Sequence, residues 1–130
     1  MAKWVHSDVL DNGIAYIKTN CNKMALISAY TAGDSYATVN AAILAEATVS
    51  SGDFTLSTGT SSSRVLTVAS GKQDAAANAS GGGASMHIAF LDTVNSKVLW
   101  VTEETSDQTI TSGNPVTFPS GLTYTSSQPV

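Results

Sequence analysis

Soft metal-ligating side chains, those of histidine and cysteine, are scarce in this sequence. They amount to two histidines, His6 and His87, and one cysteine, Cys21. No C-x-x-C or H-x-x-x-H spacing joins them, so the pattern does not indicate a zinc site. His87 lies in an apolar run whose strand alternation places it opposite Ile88 and Phe90, which indicates a structural histidine rather than a ligand. Cys21 is interpreted as a small, buried, apolar side chain.

Three short motifs are similar to fragments of catalytic or ligand-binding sites. The Gly-Asp-Ser sequence at residues 33–35 occurs in some esterases, but no Asp-x-x-His follows and the G-x-S-x-G turn is missing. The run Gly81, Gly82, Gly83 lacks the Lys-Ser/Thr of a phosphate-binding loop. The acidic cluster at residues 103–107 lies in a predicted turn, where neighbouring carboxylates point in different directions. Turns explain the first and third motifs better, and a flexible loop explains the glycine run. We predict no catalytic, cofactor-binding or metal-binding residues.

The composition indicates one compact domain that is polar without being ionic. The chain has 130 residues, of which 42% are hydrophobic and 12% charged, whereas a typical soluble domain has about 25% charged residues. The net charge is −4 and the basic residues are isolated from one another, so we expect neither direct nucleic-acid binding nor membrane binding. A single cysteine excludes an intrachain disulfide. Without an apolar leader or a bilayer-length apolar run, the chain is expected to fold in a cytoplasm.

Hydrophobic spacing predicts a short helix near the start and β-structure over most of the rest. The helix is predicted over residues 7–19, although Gly13 inside it costs about 1 kcal/mol relative to alanine. Residues 24–30 are predicted to form a buried strand, and residues 36–48 a short helical or irregular crossover. Residues 73–84, rich in alanine and glycine, are predicted to be a flexible loop.

The clearest local signal is a β-hairpin with arms at residues 86–91 and 97–102. Trp100, in the second arm, is expected to lie in the core. Short strands separated by Gly, Pro and Ser turns occupy most of the chain after residue 50. The predicted fold class is therefore mainly β, an antiparallel β-sandwich or small partly open barrel with a short N-terminal α-helix. One domain is expected to span residues 1–130.

Several short motifs spread over most of the chain are similar to those of a known family. The motifs are KWVHSDVLDNG at residues 3–13, DFT at 53–55, RVLT at 64–67, HIAFLD at 87–92, LWVT at 99–102 and GNPVTFP at 113–119. Together they resemble small proteins encoded in the head-gene modules of tailed bacteriophages. The resemblance implies a capsid decoration (cement) protein, which binds the outer surface of the mature head and clamps neighbouring capsid subunits.

The partners that this resemblance implies are the major capsid protein and further copies of the chain itself. A trimer is the expected oligomer and a dimer the alternative, and the expected location is the outer surface of the virion. Another virion component, such as a tail, neck or surface β-module, is the alternative function. A small enzyme or ligand-binding barrel is disfavoured because His, Cys, Asp and Glu are not clustered.

The residues that would make these contacts are inferred from the chain itself. The start of the chain is amphipathic and contains Trp4, and aromatic side chains are enriched at interface hot spots. An equal alternative is that Trp4 packs the N-terminal helix onto its own sheet. The glycine-rich loop is the second candidate region. The candidate capsid- or self-interaction residues are Lys3, Trp4, Val5, His6, Gly81, Gly82 and Gly83.

Overall fold

A computed structural model of the chain describes residues 4–5, 12–83, 85–103 and 108–126, and strands are its main secondary structure. The elements are β1 (Trp4–Val5), α1 (Ala15–Asn20), β2 (Lys23–Ile27), α2 (Tyr36–Ala41), β3 (Ile43–Thr48), β4 (Phe54–Thr58), β5 (Arg64–Val68), β6 (Gln73–Asp74), β7 (Gly81–Gly82), β8 (His87–Asp92), β9 (Lys97–Glu103), β10 (Thr109–Ile110), β11 (Val116–Thr117) and β12 (Thr123–Ser126). Single 3-10 turns lie at Ser51–Asp53 and Thr60–Ser62. The chain is therefore mainly β, as predicted.

A five-stranded antiparallel sheet forms the centre of the fold, in the order β1-β9-β8-β2-β3. Its middle strand β8 is buried along its whole length. Because side chains alternate across a strand, Ile88 and Phe90 join one hydrophobic cluster while Ala89 and Leu91 join another on the opposite face. The main sheet is thus covered on both faces. This arrangement confirms the predicted hairpin of β8 and β9.

A bulge in the hairpin adds apolar volume to the first cluster. Phe90 pairs with Trp100 but Leu91 pairs with Val98, so Leu99 is an extra residue in β9. Leu99 and Trp100 therefore both belong to the first cluster although they are adjacent in sequence. The Trp100 ring stacks on Phe90 with 4.4 Å between centroids. Its predicted place in the core is confirmed.

A second, three-stranded antiparallel sheet packs against this cluster, in the order β12-β5-β4. Phe54, Leu66 and Val68 are buried on its inner side, and Tyr124 packs beside them. The Phe54 ring meets Phe90 of the main sheet at 6.2 Å in an edge-on contact. Two sheets facing one apolar core make the fold sandwich-like, as the strand pattern predicted.

The opposite face of the main sheet is covered more lightly. Val39 of α2 is buried there. Tyr30 joins it from the turn before α2, and Trp4 of β1 packs against the same cluster. Ser35 begins α2 as its N-cap, because its Oγ accepts a hydrogen bond from the Thr38 amide at 3.2 Å.

Two predicted segments need correction. The helix predicted over residues 7–19 is shorter within the described residues, since α1 covers Ala15–Asn20 and residues 7–11 lie outside them. Gly13 has φ +75°, a left-handed conformation that interrupts helical backbone. The crossover predicted over residues 36–48 is helical only in its first half. Its second half is strand β3, whose apolar residues also suited a strand.

Residues 73–82 form a segment along β3 that we call the strap. The region was predicted to be a flexible loop over residues 73–84, but it contains the short strands β6 and β7, which pair with β11 and β10. The amides of Asn78 and Ala79 donate to the Leu44 carbonyl, at 2.7 and 3.2 Å. The Asp74 carboxylate accepts from the Glu46 amide at 2.9 Å. The segment therefore contains two short strands that the sequence does not predict, and it satisfies the edge of β3. That it is a flexible loop or arm stays a prediction.

Candidate assembly surfaces

The N-terminal candidate residues lie at one edge of the main sheet. Trp4 pairs with Val101 of β9, and Val5 pairs with Trp100. Trp4 is half-buried against the second hydrophobic cluster. Trp4 therefore packs on its own sheet, whereas Ile14 and Ile17 of the N-terminal helical segment belong to the first cluster. Its role as an interface anchor stays a prediction. Lys3 and His6 lie outside the described residues.

The glycine candidates lie at the opposite edge of that sheet. Gly81 and Gly82 form β7, and a Cβ built on Gly81 would be 3.0 Å from the side chain of Leu44 in edge strand β3. A Cβ on Gly82 would be 2.7 Å from the Gln108 carbonyl oxygen. Gly83, with φ +111°, has open space around its Cβ position. The two predicted contact regions are therefore not brought together. Gly82 is required by packing inside the chain, and Gly81 packs tightly against Leu44.

A third surface, on the outer side of the three-stranded sheet, was not identified from the sequence. We call it the threonine face. Strand pairing aligns Thr55, Thr67 and Thr123 in one row across the sheet. The next row, two residues along each strand, is Ser57, Val65 and Thr125.

The threonine face carries no charged side chain. Arg64 is the only charged residue in the three strands, and its guanidinium donates to the Thr58 hydroxyl at 2.8 Å. Methyl and hydroxyl groups at regular spacing can contact another protein surface without desolvating a charge. The sequence signal was an alternation of Thr with apolar residues in three separate strands, which acquires meaning only after the strands are paired.

The tip of the β8–β9 hairpin is held rigidly by Asp92. This residue is buried, and its Oδ1 accepts hydrogen bonds from the amides of Val94 and Asn95 at 3.1 and 3.2 Å. Its Oδ2 accepts from the Asn95 side-chain amide at 2.8 Å. Asn22 contacts the same loop through two hydrogen bonds. Its Nδ2 donates to the Thr93 hydroxyl, and its Oδ1 accepts from the Thr93 backbone amide. Val94 is 81% exposed, beside a shallow cleft of about 380 Å³.

Replacing Asp92 by alanine should lower the free energy of unfolding by about 1–3 kcal/mol, because three donors lose their acceptor. Asp92→Asn keeps one carbonyl oxygen for the two backbone amides and should cost less. Urea denaturation of the purified variants measures both effects. Equal stability of Asp92→Ala and the wild type would contradict this account of the hairpin tip.

The remaining chemically interesting residues take part in local structure. His87 is buried on the Tyr30 side of the sheet, with Nδ1 2.8 Å from the Ser85 carbonyl oxygen. Asp34 closes a turn, since its carboxylate accepts from the Thr31 amide at 2.9 Å. Glu103 ends β9, whereas the rest of the predicted acidic cluster lies outside the described residues. Among the residues that the structure describes, no group of three His, Cys, Asp or Glu side chains could hold a metal ion.

Cys21 directly follows α1 and is buried. Its thiol lies 3.5 Å from the Lys23 carbonyl oxygen. Burial raises the pKa of this thiol to about 12. Since the thiolate is the reactive form, iodoacetamide at pH 8 should leave the folded protein unmodified and alkylate it fully in denaturant. Mass spectrometry reads both states. Equally fast alkylation in the folded and unfolded protein would contradict the described burial.

Comparison of the chain with protein-family models, curated proteins and solved structures finds no match. Within the described residues, no helix has the length and apolar character needed to cross a membrane.

Proposed function

We propose that the protein is a structural component of a tailed-phage virion, a capsid decoration protein bound to the outer surface of the mature head. The proposal combines the motif resemblance, which is spread over most of the chain, with the surfaces of the fold. The expected partners remain the major capsid protein and further copies of this chain.

The observation that carries the proposal is the threonine face. A surface of Thr, Ser and Val on a regular sheet suits contact with a large, repeated protein surface. Contacts without buried charges avoid the desolvation cost of ions. A lattice presents the same contact many times, and bridging two neighbouring capsid subunits lets modest contacts act together. The Val94 side chain on its rigid loop supplies a separate apolar contact.

Binding to purified phage heads tests this function. The protein should co-sediment with expanded heads and stay in the supernatant with the unexpanded shell. Thr67→Lys introduces a charge at the centre of the threonine face and should weaken binding about tenfold or more. Thr111→Lys adds the same charge at an exposed loop position and should bind like the wild type. Failure to co-sediment with either form of head would contradict the function, and wild-type binding by Thr67→Lys would contradict the assigned face.

A different site on the virion is the second candidate. The β-rich fold and the open surfaces described above also suit a neck or tail component. Such a component would bind purified tails or necks in the same sedimentation experiment and would leave the head shell unoccupied.

A further inference from the structure

We propose that two copies of this chain join edge to edge through β12, making one continuous six-stranded sheet from their two small sheets. This inference rests on the proposed assembly function and deepens it by naming a second copy as a direct partner. Within the described part of the chain, β12 has a neighbouring strand, β5, on one side only.

The hydrogen bonds of β5 determine which backbone groups of β12 point to the open side. The Val68 amide donates to the Leu122 carbonyl at 3.0 Å, so Leu122 and Val68 form a hydrogen-bonded pair. Along an antiparallel pair of strands, hydrogen-bonded residue pairs alternate with non-hydrogen-bonded ones. Thr123 and Thr125 therefore direct their amides and carbonyls away from β5. Both residues are exposed.

Two-fold symmetry fits this edge. If Tyr124 lies next to the two-fold axis, Thr123 of each copy lies opposite Thr125 of the other. The outward amides and carbonyls then form four hydrogen bonds between the copies. The two Tyr124 residues face each other in a non-hydrogen-bonded pair, where side chains approach most closely and aromatic pairs are favourable. Isologous contacts of this kind are the commonest in homo-oligomers.

The charge distribution also fits a second copy. Next to a two-fold axis each residue lies near its equivalent in the other copy, so a charge in the middle of β12 would meet a like charge. The strand Thr123–Ser126 has none. Arg64 of β5 pairs with Ser126. Its guanidinium donates a hydrogen bond to Thr58 of β4, on the side away from the β12 edge. The paired sheets would also join two threonine faces into one.

Two other sheet edges, those of β3 and β4, are less available. The strap covers β3 and satisfies its Leu44 carbonyl and Glu46 amide. On β4 the outward Phe54 carbonyl accepts a hydrogen bond from Lys18 Nζ at 2.6 Å. Covered edges and lysines are two ways by which proteins prevent strand pairing. β12 has neither.

Sedimentation equilibrium of the purified full-length chain tests the proposal. The wild type should show a concentration-dependent monomer–dimer equilibrium at about 0.15 M salt. Thr125→Pro removes an amide that points outward while sparing the bonds to β5. Its dimer dissociation constant should rise about tenfold or more. The control Thr125→Val keeps the amide and should dimerise like the wild type.

Disulfide trapping tests the register without relying on the proline variant. Thr123→Cys and Thr125→Cys proteins, mixed and oxidised, should give a covalent dimer joining the two different chains. Each variant alone should give much less, because equivalent residues are separated along the antiparallel strands. A wild type that stays monomeric at all concentrations would overturn the proposal, and so would equal trapping in the mixed and single samples.

The two proposals fail separately. A monomer that still co-sediments with expanded heads contradicts the β12 dimer and leaves the decoration function standing. A dimer that binds no virion part supports the β12 contact and contradicts the function.

Discussion

Replacing Phe90 by alanine should lower the free energy of unfolding by about 3–5 kcal/mol, a large fraction of the stability of a domain of this size. Phe90 is fully buried in the middle strand of the main sheet. Its ring stacks on Trp100 at 4.4 Å and meets Phe54 of the second sheet at 6.2 Å. The substitution therefore leaves a cavity where the two sheets pack together. Thermal and urea unfolding followed by circular dichroism measure the loss.

Val94→Ala in the same hairpin is the matched control for this experiment. Val94 is 81% exposed, so its truncation should change the stability by less than about 0.5 kcal/mol. Phe90→Leu should fall between the two, because it retains part of the buried volume. Comparable losses for Phe90→Ala and Val94→Ala would contradict a core that joins the sheets through Phe90.

Replacing Gly82 by alanine should cost about 2–4 kcal/mol, the second large effect. Its φ of +143° is unfavourable for any residue with a Cβ, and that Cβ would lie 2.7 Å from the Gln108 carbonyl oxygen. The neighbouring atom belongs to the backbone of the segment that pairs with β7, so it cannot move aside without disturbing that pairing. Urea denaturation reports the cost.

Gly83→Ala measures the cost of a positive φ without the close contact that a Cβ at residue 82 would make with Gln108. Gly83 also has positive φ, at +111°, but nothing lies within 4 Å of its Cβ position. It should therefore show the strain alone and a smaller loss than Gly82→Ala. Equal losses at both positions would mean that the close approach to Gln108 contributes nothing.

The strand content could be predicted because its signals are local. The alternation at residues 86–91 and 97–102 indicated the hairpin, and the structure has β8 and β9 there. β3 was missed because Ile43–Thr48 contains helix-favouring alanines, and pairing with β2 outweighs that propensity. The strap was predicted to be a loop for a similar reason. Small residues and glycines indicate flexibility in isolation, yet here they allow close packing against Leu44.

The candidate surfaces were harder to predict than the strands. Trp4 and Gly81 were identified by residue type, and they lie at opposite edges of the main sheet. The threonine face depends on a register between three strands that are distant in sequence, which no local pattern encodes. The outward-facing amides and carbonyls of β12 depend on which of its residues bond to β5. Both features are properties of pairing rather than of composition.

Imaging of tailed-phage particles tests the proposed decoration function most directly. We expect many copies of this chain on the outer surface of the expanded head, arranged with the symmetry of the shell and bridging neighbouring capsid subunits. The threonine face or the β12 edge should lie at protein contacts in those copies. A single ring of copies at the neck or tail, with a bare head surface, would contradict the decoration function.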